Sequence, residues 1–350
     1  MIRLQGFLKA GMLGILSLLS LANYAGTTEI KNQYLHLWVK ENTIQINSTQ
    51  VARLMVKNLQ VPGRIVSVEK MDKEDLLWGN GWQISVFCDD GRRLDLTLFD
   101  KNPFVFLHTT IENNTAADIR ITDMSVASLE LSVGDMVKAN FLGSEGLSSA
   151  NKPDGSFLYS LLTDPTSRNS ILTGWLTQKQ GVGYFLPSWN SRRNSYHLQV
   201  GLEFGNYLVA TGKTRDTDTM IIGLFEDGRE ALELYGDYIA KAYQIQLPPR
   251  PEVYCTWYHR NLTGSGASTE EALIENARFA QKELYPFGLN TFQIDDHWQS
   301  SMIEGIDYKN QKEQASAQVG NGPLKSFAKH NFNFPAGMDA IAHNLNKEGF

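Results

Sequence analysis

The first two thirds of the chain alternate between hydrophobic and polar residues with a period of two. In "LDLTLF" (residues 94–99) the apolar side chains occupy every second position, which places them on one face of a β-strand. The Asp90-Gly91 pair just before this segment predicts a tight hairpin turn, because glycine tolerates a positive φ. Short strands with frequent turns, from about residue 29 to residue 222, favour a large antiparallel sandwich.

Other segments with this pattern extend the prediction. Strands are predicted in "FVFLHTTIEN" (104–113), "DIRITDMSV" (118–126) and "LELSV" (129–133). A further hairpin is predicted from "ILTGWLTQ" (171–178) and "GVGYFLPSW" (181–189).

A change of period near residue 227 marks the end of the β region. In residues 227–245 the apolar positions recur at helical spacing, and one helical face carries Ala231, Leu234, Tyr235, Tyr238 and Ile239. The "LPPRPE" segment that follows (247–252) cannot continue a helix, because proline lacks the backbone N–H and clashes with the preceding turn. We therefore predict one domain over residues 26–246, ending in a linker helix, and a second domain over residues 247–350.

The second domain has the order strand, helix, strand, helix. "VYCTWY" (253–258) is an apolar run of the kind that parallel sheets bury on both faces, and "NTFQI" (290–294) is the second strand. Between them, Ser268 and Glu271 have the spacing of a capping box at the start of a helix. A last helix is predicted with Pro335 in its first turn and an apolar stripe formed by Met338, Ile341, Ala342 and Leu345. Two consecutive βα units predict a parallel sheet.

The first 25 residues have the composition of a secretory signal peptide. Arg3 and Lys9 precede an apolar run over residues 10–22 that is too short to span a bilayer, and Ala22 and Ala25 offer cleavage points. We therefore expect an exported protein, periplasmic or extracellular, with no membrane span after removal of the signal. An uncleaved anchor and an ordinary buried first helix are the alternatives.

Composition narrows the classes of function. The 350 residues carry a formal net charge of −6 and no long basic block, so no nucleic-acid partner is predicted. Cys88 and Cys255, the only two cysteines, lie in different predicted domains and have no metal-ligand spacing. We expect both to be small buried hydrophobes. No phosphate loop or dinucleotide fingerprint occurs, so no cofactor is predicted, and the sequence carries no signal for an oligomeric state.

The chemistry suggested by the sequence is concentrated in "FQIDDHWQ" (292–299). An apolar strand ends there in two adjacent carboxylates, Asp295 and Asp296, followed by His297 and Trp298. The carboxyl ends of parallel strands form the edge at which α/β folds bind ligands. Because successive strand residues point to opposite faces, both carboxylates can serve one ligand only where the chain leaves the strand and turns. The segment over residues 299–334 is far longer than an ordinary βα connection, and such loops are usually functional.

Several chemistries could use the two carboxylates. A metal site needs further ligands at close spacing, and His297 is the only one within the motif, so no metal is predicted. The acid and base of a glycosidase flank the bond, about 5–9.5 Å apart, which neighbours in one turn do not easily do. We favour recognition of vicinal sugar hydroxyls by Asp295 and Asp296, with the indole of Trp257 or Trp298 against the apolar face of the ring. Helix-capping or loop-ordering aspartates beside core tryptophans are the alternative.

Four segments carry a family resemblance. They are "TWY" (256–258), "FQIDDHWQ", "NFPAGMDAIAHNLNKEGF" (333–350) and, in the first domain, "GWLTQ" (174–178). Together they resemble the α-galactosidases of glycoside hydrolase family 36 and their family 27 relatives. The resemblance implies a large antiparallel β-supersandwich followed by the first βαβα portion of a (β/α)8 TIM barrel. It also implies an enzyme that hydrolyses terminal α-linked galactose from oligosaccharides with retention.

The resemblance also implies roles for single residues. Asp295 and Asp296 match the aspartates that bind hydroxyls of the terminal sugar, and Trp257 matches the aromatic position after the first strand. His297 stands where the family has glycine, and it adds bulk and a titratable ring at a position that could discriminate between sugars. A whole barrel takes about 250 residues, and the family's nucleophile and acid/base come from its later strands. We therefore expect the catalytic residues beyond Phe350 and a chain that is a truncated form of a longer enzyme.

Three functional hypotheses remain. The first is an exported α-galactosidase-like hydrolase whose partner is an oligosaccharide with a terminal α-galactosyl unit. The second is a related α-glycosidase or a transglycosylase of the raffinose-synthase type. The third is a non-catalytic carbohydrate-binding remnant.

Overall fold

The protein folds into two compact units that divide between Gln246 and Leu247. The structure, a computed structural model, describes residues 26–192, 195–258, 269–295, 298–301, 324–330 and 334–350. The predicted signal peptide therefore lies outside the described residues. None of the helices in these ranges combines the length and the apolar character needed to cross a membrane.

The described part of unit 1 consists of eighteen strands and one helix. The strands are β1 (Thr27–Lys31), β2 (Leu35–Lys40), β3 (Thr43–Ser48), β4 (Met55–Gln60), β5 (Ile65–Asp75), β6 (Gly79–Cys88), β7 (Arg92–Phe99), β8 (Phe104–Glu112), β9 (Ile119–Ser132), β10 (Asn140–Gly143), β11 (Gly146–Ser149), β12 (Ser156–Phe157), β13 (Tyr159–Thr163), β14 (Ser170–Trp175), β15 (Val182–Asn190), β16 (Ser195–Val209), β17 (Thr214–Asp216) and β18 (Met220–Phe225). The helix is α1 (Gly228–Tyr243).

These strands form two antiparallel sheets. The eight-stranded sheet has the order β1-β2-β3-β4-β9-β16-β15-β12. The ten-stranded sheet has the order β11-β10-β13-β14-β18-β8-β7-β6-β5, and β17 pairs with β8 beside this path. One apolar cluster takes residues from both sheets, including Leu35 and Leu37 of β2 and Leu94, Leu96 and Leu98 of β7. The prediction of a predominantly antiparallel β-sandwich is confirmed.

Helix α1 packs on the other face of the ten-stranded sheet. Ala231 and Tyr235 of the helix are buried against an aromatic cluster that includes Phe104 and Phe106 of β8. The Tyr235 hydroxyl lies 2.8 Å from the carbonyl oxygen of Trp175 and 3.1 Å from that of Leu158. The predicted helix and its apolar face are confirmed, because Leu234, Tyr238 and Ile239 also pack against this cluster.

Two predictions about the strands of unit 1 are wrong, one about their pairing and one about their number. Residues 171–178 and 181–189 do not form a hairpin, because β14 pairs with β13 and β18 while β15 pairs with β12 and β16 of the other sheet. The segments predicted as two strands, 118–126 and 129–133, belong to one long strand, β9 (Ile119–Ser132). The register with β16 shifts at Val126, which is an extra residue in β9 and forms a β-bulge. The extra residue interrupts the alternation of side chains between the two faces of the strand, and the prediction of strands from sequence depends on that alternation.

The described residues of unit 2 form one parallel and one antiparallel strand pair. Its elements are β19 (Val253–Cys255), a 3-10 turn (Thr256–Tyr258), α2 (Glu270–Glu283), a second 3-10 turn (Tyr285–Phe287), β20 (Thr291–Gln293), β21 (Gln299–Ser301), β22 (Leu324–His330) and α3 (Met338–Lys347). β19 and β20 pair in parallel, as predicted, and β21 pairs with β22 in antiparallel fashion. Leu273 and Ala277 of α2 and Ile341 and Leu345 of α3 form an apolar cluster with Phe334.

Several details of unit 2 differ from the prediction. β19 is three residues long and Val253 is 42% exposed, so this strand is not buried on both faces. The N-cap of α2 is Thr269, whose hydroxyl accepts a hydrogen bond from the Ala272 N–H at 3.3 Å, rather than Ser268, which lies outside the described residues. α3 begins at Met338, so Pro335 precedes the helix.

Two further departures concern α3 and the segment before it. Ala342 of α3 is exposed and does not belong to the buried stripe. The long polar segment after residue 299 contains β21 and β22, where the sequence pattern predicts a loop.

Candidate functional site

The candidate site lies where the parallel strands β19 and β20 end side by side. The register pairs Tyr254 with Phe292 and Cys255 with Gln293. Beyond these pairs, the backbone N–H of Asp295 donates a 3.0 Å hydrogen bond to the Thr256 hydroxyl. Thr256 is only 2% exposed, so this bond lies in a protected position. It fixes the end of β20 to the end of β19.

The carboxylate of Asp295 is held by two neighbouring side chains. Its Oδ2 atom lies 3.3 Å from the Sγ atom of Cys255 and 3.3 Å from the Nε2 atom of Gln293. A thiol is a weak donor and the amide bond is long, so each contact alone is modest. Because they reach the same oxygen from two strands, together they restrict the rotation of a half-buried carboxylate.

The two faces of the β20 segment differ in character. Phe292 and Ile294 pack against the apolar cluster of α2 and α3, and Phe292 stacks on Tyr254 with ring centroids 4.7 Å apart. Side chains alternate along an extended chain, which places Gln293 and Asp295 on the opposite face. The apolar face anchors the segment, and the polar face presents the carboxylate.

Three of the four predicted site residues lie in the part of the chain that the structure describes, and their surroundings differ. Asp295 lies at the strand ends as described, and Trp257 lies in the 3-10 turn after β19 with 41% of its surface exposed. Trp298 is half-buried and packs against the apolar cluster of α2 and α3, so a sugar-facing role for its indole rests on the sequence alone. Asp296 lies outside the described residues, as does His297.

Sequence analysis missed three residues of the site, which are Cys255, Thr256 and Gln293. Cys88 behaves as predicted, since it is buried and burial, followed by the nearby Asp90 charge, raises its thiol pKa to about 11. Cys255 was expected to be buried as well, but it is half-buried and contacts Asp295. The sequence could have indicated that Cys255 and Gln293 belong to the site, because the parallel pairing predicted for the two strands places the end of "VYC" beside the end of "TFQ".

An oriented carboxylate at a strand end can accept short charge-assisted hydrogen bonds from hydroxyl donors. Within the described ranges, no three His, Cys, Asp or Glu side chains are grouped so that they could hold a metal ion. Among the described residues, the Asp295 carboxylate is thus an oriented hydrogen-bond acceptor at the end of β20.

Comparison of the sequence with protein families and with curated proteins gives no match. Comparison of the structure with solved structures does give matches. An α-galactosidase of glycoside hydrolase family 36 from Geobacillus stearothermophilus, solved with stachyose, matches 93% of this chain with 10% identity and a TM-score of 0.51. The same enzyme was also solved with raffinose.

Two further α-galactosidase structures give the same result. One is the enzyme from Lactobacillus brevis (TM-score 0.53, 9% identity) and the other is the galactosidase domain of an α-galactosidase–sucrose kinase (TM-score 0.53, 12% identity), each matched over 93% of this chain. This chain covers 55%, 53% and 55% of the three neighbours, so it spans about half their length. At these sequence identities the comparison shows a similarity of fold alone. The chain has a glycoside hydrolase-like fold.

Proposed function

We propose that this protein is an exported glycoside hydrolase of the α-galactosidase type that hydrolyses terminal α-linked galactose from oligosaccharides with retention. In this proposal Asp295 and Asp296 bind hydroxyls of the terminal sugar, and Trp257 lies against its apolar face. Bond cleavage is assigned to neither carboxylate, because adjacent residues cannot flank one bond from opposite sides.

The observation that carries the proposal is the position of Asp295. Its carboxylate lies at the carboxyl ends of two parallel strands, held by Cys255 and Gln293, on the face of β20 opposite the apolar cluster. The substrate class of the proposal is supported by the fold neighbours, which are α-galactosidases, one of them solved with stachyose and with raffinose. We also propose that unit 1 is a β-supersandwich domain (26–246) and that unit 2 (247–350) is the first βαβα portion of a TIM barrel.

The test is hydrolysis of nitrophenyl α-galactoside by the full-length protein, with nitrophenyl α-glucoside and α-N-acetylgalactosaminide as competing substrates. The α-galactoside should be hydrolysed with the highest kcat/KM. Replacing Asp295 by Ala removes charge-assisted hydrogen bonds, so kcat/KM should fall about ten- to hundredfold. Asp339, an exposed aspartate in the first turn of α3, is the matched control, and Asp339→Ala should retain the activity. An inactive wild type, or an unchanged Asp295→Ala variant, contradicts the proposal.

A second candidate function is transfer of the sugar to another carbohydrate rather than to water. The observation that favours it is His297, which stands where the resembled family has glycine. The two functions differ in their products, because hydrolysis releases free galactose whereas transfer yields a longer oligosaccharide. Chromatography of raffinose digests with and without added sucrose distinguishes them, and His297→Gly should move the products toward free galactose if this residue favours transfer.

Export is part of the proposal and needs its own test. Fractionation of cells that express the full-length protein should place it outside the cytoplasm, and deletion of residues 1–25 should retain it inside. The N-terminal residue of the exported form should lie near Thr27. A protein that stays in the cytoplasm with residues 1–25 attached would refute export while leaving the enzymatic proposal intact.

A further inference from the structure

The face of the ten-stranded sheet that carries α1 changes from apolar to polar beyond the helix. Under α1 this face is aromatic, with Phe99, Phe104 and Phe106 buried. Further along the same strands, Gln83 of β6 pairs with Thr97 of β7, and Asp95 of β7 pairs with His108 of β8. Directly opposed residues of an antiparallel pair have their Cβ atoms about 4.5–5.5 Å apart. An amide, a hydroxyl, a carboxylate and an imidazole are therefore grouped on one face of the sheet.

Three of these side chains and Ser85 form a chain of hydrogen bonds. The Thr97 hydroxyl donates to Gln83 Oε1 at 3.3 Å, Gln83 Nε2 donates to the Ser85 hydroxyl at 2.9 Å, and Ser85 Oγ donates to Asp95 Oδ1 at 2.7 Å. Gln83, Ser85 and Thr97 are each more than nine-tenths buried. Arg93 Nε lies 3.2 Å from Asp95 Oδ2, so both carboxylate oxygens are held. The network is thus ordered before any ligand arrives, which lowers the entropy lost on binding.

A cleft of about 320 Å³, formed entirely by unit 1, is lined by Gln83, Asp95, Thr97 and His108. Its apolar wall is Phe99, Phe106 and Trp78, and Trp78 is fixed by stacking on Tyr238 with ring centroids 4.8 Å apart. The volume falls at the lower end of the roughly 300–1,000 Å³ typical of small-molecule sites, and an apolar wall with a few convergent polar groups is their usual composition. The cleft is large enough for a small ligand and too small for a macromolecule.

The charges and hydrogen-bonding groups of the cleft indicate the class of ligand. Lys73 is opposed by Asp75 in the lining, and Asp95 is paired with Arg93, so neither an anion nor a cation is favoured by net charge. Donors and acceptors are both present in amide, hydroxyl, carboxylate and ammonium groups, which is what vicinal hydroxyls require. We propose that this cleft binds a neutral saccharide unit, and that the protein therefore has a carbohydrate site in unit 1 that does not involve Asp295.

The test uses the full-length protein with the Asp295→Ala substitution, so that binding at the strand ends of unit 2 is removed. Galactose, glucose, mannose, lactose and raffinose are the neutral probes, and galacturonate and galactosamine are the charged ones. Isothermal titration calorimetry and saturation-transfer NMR measure binding. At least one neutral probe should bind, with an affinity at least about tenfold above that of either charged probe. Absence of binding by every neutral probe, or tighter binding of a charged one, overturns the proposal.

Variants then place the binding in the cleft. Asp95→Asn and Thr97→Val should each weaken binding of the neutral probe about tenfold or more, because Asn lacks the charge and has an amide donor in place of one acceptor oxygen, and Val lacks the hydroxyl. His108 is one-third exposed, so His108→Gln should fold normally and also weaken binding. The matched control is Asp123→Asn, because Asp123 also accepts one hydroxyl hydrogen bond, from Tyr184 at 2.9 Å, but on the eight-stranded sheet. Thermal unfolding identifies any misfolded variant, and unchanged binding in folded His108→Gln and Asp95→Asn refutes the site.

Discussion

At the scale of single residues, the contact between Cys255 and Asp295 depends on the register of two strands that are far apart in the sequence. A cysteine without partners in the sequence is most often a small buried hydrophobe, as Cys88 is here. Cys255 is instead half-buried beside a carboxylate, because the parallel register places it next to Gln293, two residues before Asp295. By contrast, the position of Asp295 just beyond the end of β20 could be predicted from its place after an apolar run, and its role in binding stays a prediction.

The contact predicts that Cys255 positions the Asp295 carboxylate. Cys255→Ala should raise KM for nitrophenyl α-galactoside several-fold, because the carboxylate loses the contact between its Oδ2 atom and the Cys255 thiol. Cys255→Ser keeps a donor of similar size and should restore most of the loss. A purely structural role would make both substitutions equally harmful, and a Ser variant as impaired as the Ala variant would rule out positioning.

The contact between Gly174 and Tyr235 makes a prediction about stability. A Cβ atom on Gly174 would lie 2.6 Å from Cε2 of Tyr235, which is far too close. Gly174→Ala should therefore lower the free energy of unfolding by about 1–3 kcal/mol, the usual penalty of overpacking. Gly236 in α1 has no atom within 4 Å of its virtual Cβ. Gly236→Ala should instead stabilise by about 0.5–1 kcal/mol, through helix propensity. Urea denaturation of both variants measures the difference, and equal effects would contradict the packing argument.

At the scale of secondary structure, the first turn of α1 is organised by Asp227. This N-cap residue accepts a hydrogen bond from the Arg229 N–H at 3.0 Å and also contacts the Arg229 guanidinium at 2.9 Å. Arg168 lies 3.1 Å from the same carboxylate. Because Arg229 and then Arg168 favour the charged form, the pKa of Asp227 is lowered to about 2.

This pKa predicts a pH dependence of stability. An aspartate in an unfolded chain has a pKa of about 3.9, so the charged Asp227 stabilises the folded state fully above that pH. The contribution is lost as the pH falls through about 2. Asp227→Asn retains the cap but lacks the charge. Its melting temperature should therefore decline less steeply than that of the wild type between pH 4 and pH 2. Asp237→Asn, in the middle of the same helix, is the control, and parallel pH profiles for wild type and Asp227→Asn would refute the assignment.

The elements also show which features a sequence pattern can determine. The helix α1 and the strands β7 and β8 were predictable, because their periodicity is local and uninterrupted. The separation of β14 from β15 was not, since an alternating strand carries no information about which sheet it joins. The bulge at Val126 changes the phase of β9 without any glycine or proline to reveal it.

At the scale of the whole molecule, the segment between the two units is a target for proteases. Every residue from Tyr243 to Val253 is exposed, and Leu247 is 88% exposed. Limited digestion with thermolysin, which cuts before large apolar residues unless proline follows them, should cleave before Ile245, which is 49% exposed, and leave a stable fragment that ends at Gln244. Trypsin should not cut after Arg250, because Pro251 follows it. Mass spectrometry identifies the fragment, and rapid loss of unit 1 instead would contradict two separately compact units.

The order of the strands has a consequence for how the chain is made. β18, the last strand of unit 1, lies between β14 and β8, and it joins two halves of the ten-stranded sheet, β11-β10-β13-β14 and β8-β7-β6-β5. A growing polypeptide cannot close this sheet until Phe225 has been synthesised, which takes on the order of ten seconds or longer at about 5–20 residues per second. Between the synthesis of Trp175 and that of Phe225, the inner edges of both halves, β14 and β8, lack their partner, and unpaired strand edges favour aggregation.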